Sequence, residues 1–180
     1  MNSNIRSGII FAVFLALLLS STQTLSARRP PGPYARGVSY LSDLERTIYR
    51  FTNEVRQKNG VSPLTWENSL CDVARAHSAD MLVRNYFSHN NPEGRSPHER
   101  IVAGSRFPLS MTGENIWTSS GRQQGDPRQL ARIIVDNWMS SPGHRQNLLH
   151  PGFTDIGVGV AARGTDVMVT QVFIRHRQSK

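Results

Sequence analysis

At 180 residues the chain can bury one domain core but is too short for two comfortable ones. Its 21 lysines and arginines against 13 acids give a formal net charge of +8, nearly all of it arginine, since lysine stands only at Lys58 and Lys180; this suits planar contacts with carboxylates and phosphates, although solubility alone accounts for such a charge. The single cysteine, Cys71, excludes an internal disulfide, and the sequence has no G-x-S-x-G elbow, phosphate-binding glycine loop, dinucleotide fingerprint or nucleic-acid motif, so serine-hydrolase chemistry, nucleotide or organic cofactors and nucleic-acid partners are not expected.

Arg6, the apolar run Ile9 to Leu19 and the small polar stretch Ser20 to Ala27 read as a signal peptide over residues 1–27. The run is shorter than the roughly 20 apolar residues of a membrane span, so the mature chain is expected to carry no transmembrane segment and to be secreted or periplasmic. Cleavage removes only Arg6 from the charge count, and +8 becomes +7. Residues 28–40, opening with Arg28-Arg29-Pro30-Pro31-Gly32-Pro33, read as a linker, residues 41–176 as the domain and 177–180 as a basic tail.

Within the domain, Ser42-Asp43-Leu44-Glu45 has the capping-box pattern, with Leu44, Ile48, Phe51 and Val55 following at helical spacing up to Asn59-Gly60. A second helix is expected from near Thr65 to about Asn85, with Leu70, Val73, Ala74, His77 and Met81 on its core face. Ser96-Pro97-His98-Glu99 opens a short third helix that stops at Gly104. Asp126-Pro127 caps a fourth, whose stripe of Leu130, Ile133, Ile134 and Trp138 runs to the Ser140-Ser141-Pro142 stop. Glu114 to Thr118 reads as a strand, and Ile156 to Val160 and Val167 to Gln171 read as a hairpin around a turn from Ala161 to Asp166.

His144 lies at the centre of Asn137 to Gly159, after Ser-Pro-Gly. Pro142 fixes φ there, and Gly143 is expected to let the backbone approach whatever the imidazole faces. Three stretches are expected to converge on this corner: Phe87-Ser88-His89, Gly113-Glu114-Asn115-Ile116 and Val169 to Phe173.

Together with Pro92-Glu93-Gly94-Arg95, Trp138 to Asn147 and Ile156 to Val160, these motifs resemble, in order and spacing, the bacterial branch of the CAP superfamily, the SCP-like relatives of pathogenesis-related protein 1 and the venom antigens. The resemblance covers roughly Leu41 to Phe173. It implies an α+β fold, an α-β-α sandwich with a small central antiparallel sheet, and a groove lined by two histidines and acidic residues. His89 and His144 resemble the family's two histidines and Glu114 its GEN-motif glutamate, whereas Ser141 stands where many relatives have a further acid.

Two neutral imidazoles and a carboxylate are the usual ingredients of a site for a divalent metal such as Zn²⁺, so His89, His144 and Glu114 are the candidate ligands. Glu114 could instead orient a histidine, or act as a catalytic base on metal-bound water. With Ser141 uncharged, a non-catalytic binding module for a lipid, a sterol-like molecule or an anionic envelope polymer is favoured over a metal-dependent hydrolase of peptide or cell-wall substrates. His77 reads as a core histidine, Cys71 as a buried inert thiol, Trp117 and Trp138 as core, His98 and His150 as surface, and His176 as part of the basic tail.

Overall fold

The computed structural model describes residues 36–105, 108–121 and 125–176; the expected signal peptide, the linker up to residue 35 and the 177–180 tail lie outside the described residues. Among those described, the elements run β1 (Ser39–Tyr40), α1 (Ser42–Lys58), β2 (Thr65–Trp66), α2 (Asn68–Arg84), α3 (Pro97–Gly104), β3 (Leu109–Ser119), α4 (Pro127–Ser140), α5 (Pro142–Leu148), β4 (Asp155–Arg163) and β5 (Asp166–His176). The sheet has the order β1-β4-β5-β3, antiparallel throughout, with β2 adding a short parallel pairing to β4. β3 is therefore an edge strand, and it is the strand that carries Glu114.

Strand alternation sorts the core into two layers. Ile156, Val158, Val160 and Ala162 of β4, with Val167, Val169 and Phe173 of β5, join Leu44, Ile48 and Phe51 of α1, Ile134 and Trp138 of α4 and Leu148 of α5. On the opposite face Val172 and Ile174 pack against Leu70 and Ala74 of α2 and Ile101 of α3. This is the expected α-β-α sandwich of an α+β domain. The glycines Gly157 and Gly159 alternate onto the α2 side, where an added Cβ would fall 2.3 Å from the Leu70 carbonyl carbon and 2.1 Å from the Arg75 nitrogen. Helix α2 thus rests its backbone directly on the sheet, which only glycine permits.

Several local expectations change. Ser42-Asp43-Leu44-Glu45 makes no side-chain cap: Leu41 is the N-cap, and Glu45 is fully buried, accepting from Arg75 Nη2 at 2.6 Å and from the Val160 amide at 3.0 Å. A distant cation and a strand amide outcompete the local cap. The box at Ser96 and Glu99 does form, with Pro97 in the first turn. Helix α2 starts at Asn68 rather than Thr65, because Thr65 and Trp66 pair with Asp155 and Ile156 and Glu67 caps the helix by accepting from the Ser69 amide. Ser39 and Tyr40, expected as linker, pair with Ala162 and Ala161 as β1. Ala161 to Arg163 stay in β4, so the hairpin turns only at Gly164 and Thr165, with Gly164 at φ +59. The strand around Glu114 extends from Leu109 to Ser119. His176 closes β5 beside Asp155 (3.4 Å) instead of belonging to the tail. His150 is half-buried, its Nδ1 accepting from the Gly152 amide and its ring against Phe153. His98 is exposed, as expected.

Candidate functional site

Glu114 stands in β3 opposite Val172, on the face covered by α2 and α3, and is 6% exposed. A buried carboxylate needs partners, and both of its oxygens have one. The His89 Nδ1–H donates to Oε1 at 2.8 Å, and Arg100 Nη2 donates to Oε2 at 2.7 Å. With Nδ1 on the carboxylate, His89 turns its Nε2 away from Glu114. The same arginine also holds the loop that carries the histidine, since Nη1 donates to the carbonyls of His89 (2.7 Å) and Arg95 (2.9 Å).

That loop begins where Asn85, left-handed at φ 54, ends α2. It is fastened at three further points. Tyr86 donates its hydroxyl to Asp80 (2.5 Å), Arg84 joins Asp80 to Glu93 of the loop, and Asn91 accepts from the Arg95 amide (2.7 Å). Phe87, 48% exposed, sits two residues before His89 and leaves an apolar surface there.

His144 comes from the other side of the edge strand, on α5. Its carbonyl accepts from Asn115 Nδ2 (3.2 Å), and Asn147, one turn on, donates to the Glu114 carbonyl (3.0 Å) and to Asn115 Oδ1 (2.9 Å). Partial burial lowers the proton affinity of His144, and its electrostatic interaction with nearby His89 lowers it further. The structure thus puts His89 in direct contact with Glu114, and His144 within electrostatic reach of His89 across β3. Gly143 is not the close-approach point expected: a Cβ there meets nothing within 4 Å, and the residue simply lies in the first turn of α5. Of the Val169 to Phe173 stretch only Gln171 joins the site, bridging Asn115 to Thr52 of α1 behind it, while Val169 and Phe173 are core.

His77 is 2% exposed and donates from Nε2 to the Ser88 carbonyl at 3.0 Å, 4.0 Å from Glu114 Oε1. Burial pushes its pKa down to about 4, a fall only partly opposed by the Glu114 charge, so it is the neutral core histidine its helix position implied. Cys71 is buried, and burial raises its thiol pKa to about 12. Trp117 is half-buried against the core formed by α1, α4 and α5.

A metal at this site would find two imidazoles, from His89 and His144, but not the Glu114 oxygens, which His89 and Arg100 already use. Among the described residues no group of three or more His, Cys, Asp or Glu side chains is arranged to hold a metal ion. Two imidazoles alone do not make up the closed ligand set of a structural metal centre. Arg100, the residue that does most to hold this arrangement, escaped the sequence reasoning. Its partners lie at positions 89, 95 and 114, and its only local signal was its place in the first turn of a capped helix.

The model of the Cysteine-rich secretory protein family, CAP, matches residues 49–173. The protein YkwD of Bacillus subtilis (strain 168) is 38% identical over 136 residues, which cover 76% of this chain and 49% of YkwD. The membrane protein YlbC of the same organism is 34% identical over 131 residues, covering 73% of this chain and 34% of YlbC. The chain thus spans half or less of the length of these relatives. Among solved structures, an extracellular SCP-domain protein from Bacillus anthracis str. Ames superposes with a TM-score of 0.61 at 32% identity, over 74% of this chain and 41% of that one. An outer surface protein of Borrelia burgdorferi shares the fold, with a TM-score of 0.66 at 18% identity over 77% and 98% of the two chains.

Proposed function

Because the chain belongs to the cysteine-rich secretory protein (CAP) family, we propose that it acts as an exported binding module rather than a hydrolase, with His89 and His144 offering a divalent cation such as Zn²⁺ a place in the groove. The observation that carries this is the double engagement of Glu114. A metal-assisted hydrolase needs a base within reach of the attacking water. Here the buried carboxylate has one oxygen on His89 and the other on Arg100, and Ser141 supplies no second acid. Glu114 is thereby a positioning residue: it fixes the His89 tautomer and aims Nε2 outward, the carboxylate–histidine arrangement common behind metal ligands.

A bound cation would supply a Lewis-acidic contact for an oxygen of the ligand. The exposed Phe87 beside His89 adds an apolar contact, which suits a lipid, a sterol-like molecule or the less polar part of an envelope polymer. Export is supported by the apolar leader in the sequence and by the extracellular description of the Bacillus anthracis relative. Among the described residues no helix is long and apolar enough to cross a membrane.

Calorimetric titration with Zn²⁺ tests the site. His89→Ala or His144→Ala should abolish tight binding, while Glu114→Gln should weaken it about 10–100-fold. Undiminished binding by His144→Ala would refute the two-histidine site, and hydrolysis of peptide or cell-wall substrates that is lost in Glu114→Gln would restore the enzymatic alternative. Native mass spectrometry of protein isolated from its own source should show a co-purified lipid or envelope fragment.

A further inference from the structure

Helix α5 has two faces, and the groove uses only one of them. Asn147 and Leu148 turn toward β3 and the core, whereas Pro142, Arg145, Gln146 and Leu149 recur one turn apart on the opposite flank. There they join His150 and Pro151 around an open cleft of about 520 Å³. The two prolines and Leu149 give it an apolar surface, and its rim is rich in hydrogen-bond donors. Among the described residues no carboxylate pairs with the Arg145 guanidinium. The Gly152 amide donates to Nδ1 of His150 at 3.0 Å, so the proton of that ring sits on Nε2, which is a donor.

A second cation lies behind the cleft. Arg56 of α1 is fully buried, and it gives Nη1 to the carbonyls of Leu148 (2.8 Å) and His150 (3.1 Å) and Nε to that of Ser62 (2.7 Å). These bonds fasten the segment that forms one wall of the cleft. No carboxylate answers the charge: Nη2 is buried without an acceptor among the described residues, and burial lowers the proton affinity of the group with no acid nearby to raise it. A guanidinium held by carbonyls alone keeps its charge in surroundings that screen it poorly, so its field is felt at His150 and in the cleft beside it.

We propose that this cleft binds the free C-terminus of a peptide chain, its terminal carboxylate taken by Arg145 and His150 and an apolar last side chain resting on Pro142, Leu149 and Pro151. A planar carboxylate matches the guanidinium fork, and the Gln146 amide offers a donor and an acceptor to the peptide group that precedes it. A fatty acid would satisfy the cation but leave Gln146 unpaired and most of its chain outside so open a cleft. A phosphate on a sugar polymer would leave the apolar surface uncovered. The site lies on the far side of α5 from the imidazole groove and does not depend on what the groove holds.

The test is a titration followed by amide NMR shifts, using acetyl-Ala-Ala-Leu with a free carboxylate, the same peptide amidated, and acetyl-Ala-Ala-Gly with a free carboxylate. The leucine acid should bind and move the amides of Leu149, His150 and Gly152. Amidation removes the ionised partner of Arg145 and should weaken binding about tenfold or more. Glycine in place of leucine removes the apolar contact and should also cost about tenfold. Arg145 is exposed, so Arg145→Gln should leave the urea midpoint unchanged while it weakens the acid about tenfold and the amide not at all. Arg145→Lys keeps the charge without the fork and should recover part of the loss.

Equal binding of acid and amide, an acid preference that survives Arg145→Gln unchanged, or no binding by any of the peptides would overturn the proposal. Octanoate binding more tightly than the leucine acid would assign the cleft to lipid carboxylates and overturn it as well. None of these outcomes bears on His89 or His144, whose Zn²⁺ titration stands separately.

Discussion

Replacing Trp138 by alanine tests the packing that supports the site. Trp138 is 1% exposed, at the end of α4, among Ile134, Leu148 and the strand residues of the same core. Its Nε1–H donates to the Ile116 carbonyl at 3.1 Å, two residues along β3 from Glu114. Truncation removes the largest fully buried side chain of the described core and leaves a cavity, for which about 3–5 kcal/mol is the usual cost of aromatic-to-alanine changes. That is a large share of the roughly 5–15 kcal/mol by which a domain is stable. With a urea slope of about 2 kcal/mol per molar, the midpoint should fall by about 2 M. Trp138→Phe separates the two contributions: it fills most of the volume but leaves the Ile116 carbonyl without its donor, at about 1–3 kcal/mol. Urea unfolding of the two variants decides the matter. A Trp138→Ala midpoint within error of the parent's would show that this face of α4 is not packed as described.

Three further outcomes are expected. Gly159→Ala puts a methyl 2.1 Å from the Arg75 backbone nitrogen, which no rotamer change relieves, so its cost should reach or exceed the top of the about 1–3 kcal/mol range for overpacking, whereas Gly143→Ala, with open space around it, should leave the midpoint unchanged; equal midpoints would contradict the α2 contact. Cys71, with its thiol raised to about 12 by burial, should resist thiol reagents at mildly alkaline pH until the protein is denatured, and labelling of the native protein at the denatured rate would place it at the surface. His77 stays neutral in the folded state down to about pH 4, while the unfolded chain takes up that proton near pH 6.5, so stability should fall as pH drops through this window, by up to about 3 kcal/mol. His77→Gln, which keeps a donor for Ser88, should flatten that slope in metal-free buffer, and an unchanged slope would place the titration elsewhere.

What the sequence disclosed was local, and what it concealed was contact between distant segments. Ser42 to Glu45 and Ser96 to Glu99 carry the same capping pattern, yet only the second caps its helix. The difference lies in Arg75 and Val160, which capture Glu45 from far along the chain. The alternation of β4 and β5 was readable because one residue in two must be apolar on each buried face. Thr65 and Trp66 read as the start of a helix because nothing near them announces their pairing with Asp155 and Ile156. At the site, His144 stood out by its place after Ser-Pro-Gly, but the roles of His89, Glu114 and His144 as one set came through resemblance, since their separation in the chain leaves no spacing to read. The work of Arg100 was hidden for the same reason.

The edge position of β3 has a consequence for how the molecule behaves in company. An uncovered sheet edge is a template on which another chain can add a strand. Here the carbonyls of Glu114 and Ile116 are taken by side chains, Asn147 and Trp138, that no incoming strand can match without displacing them. The residues that prop up the groove therefore also block β-augmentation. Loss of either should expose a sticky margin, so that Asn147→Ala or Trp138→Ala protein would self-associate through β3 before it unfolds outright.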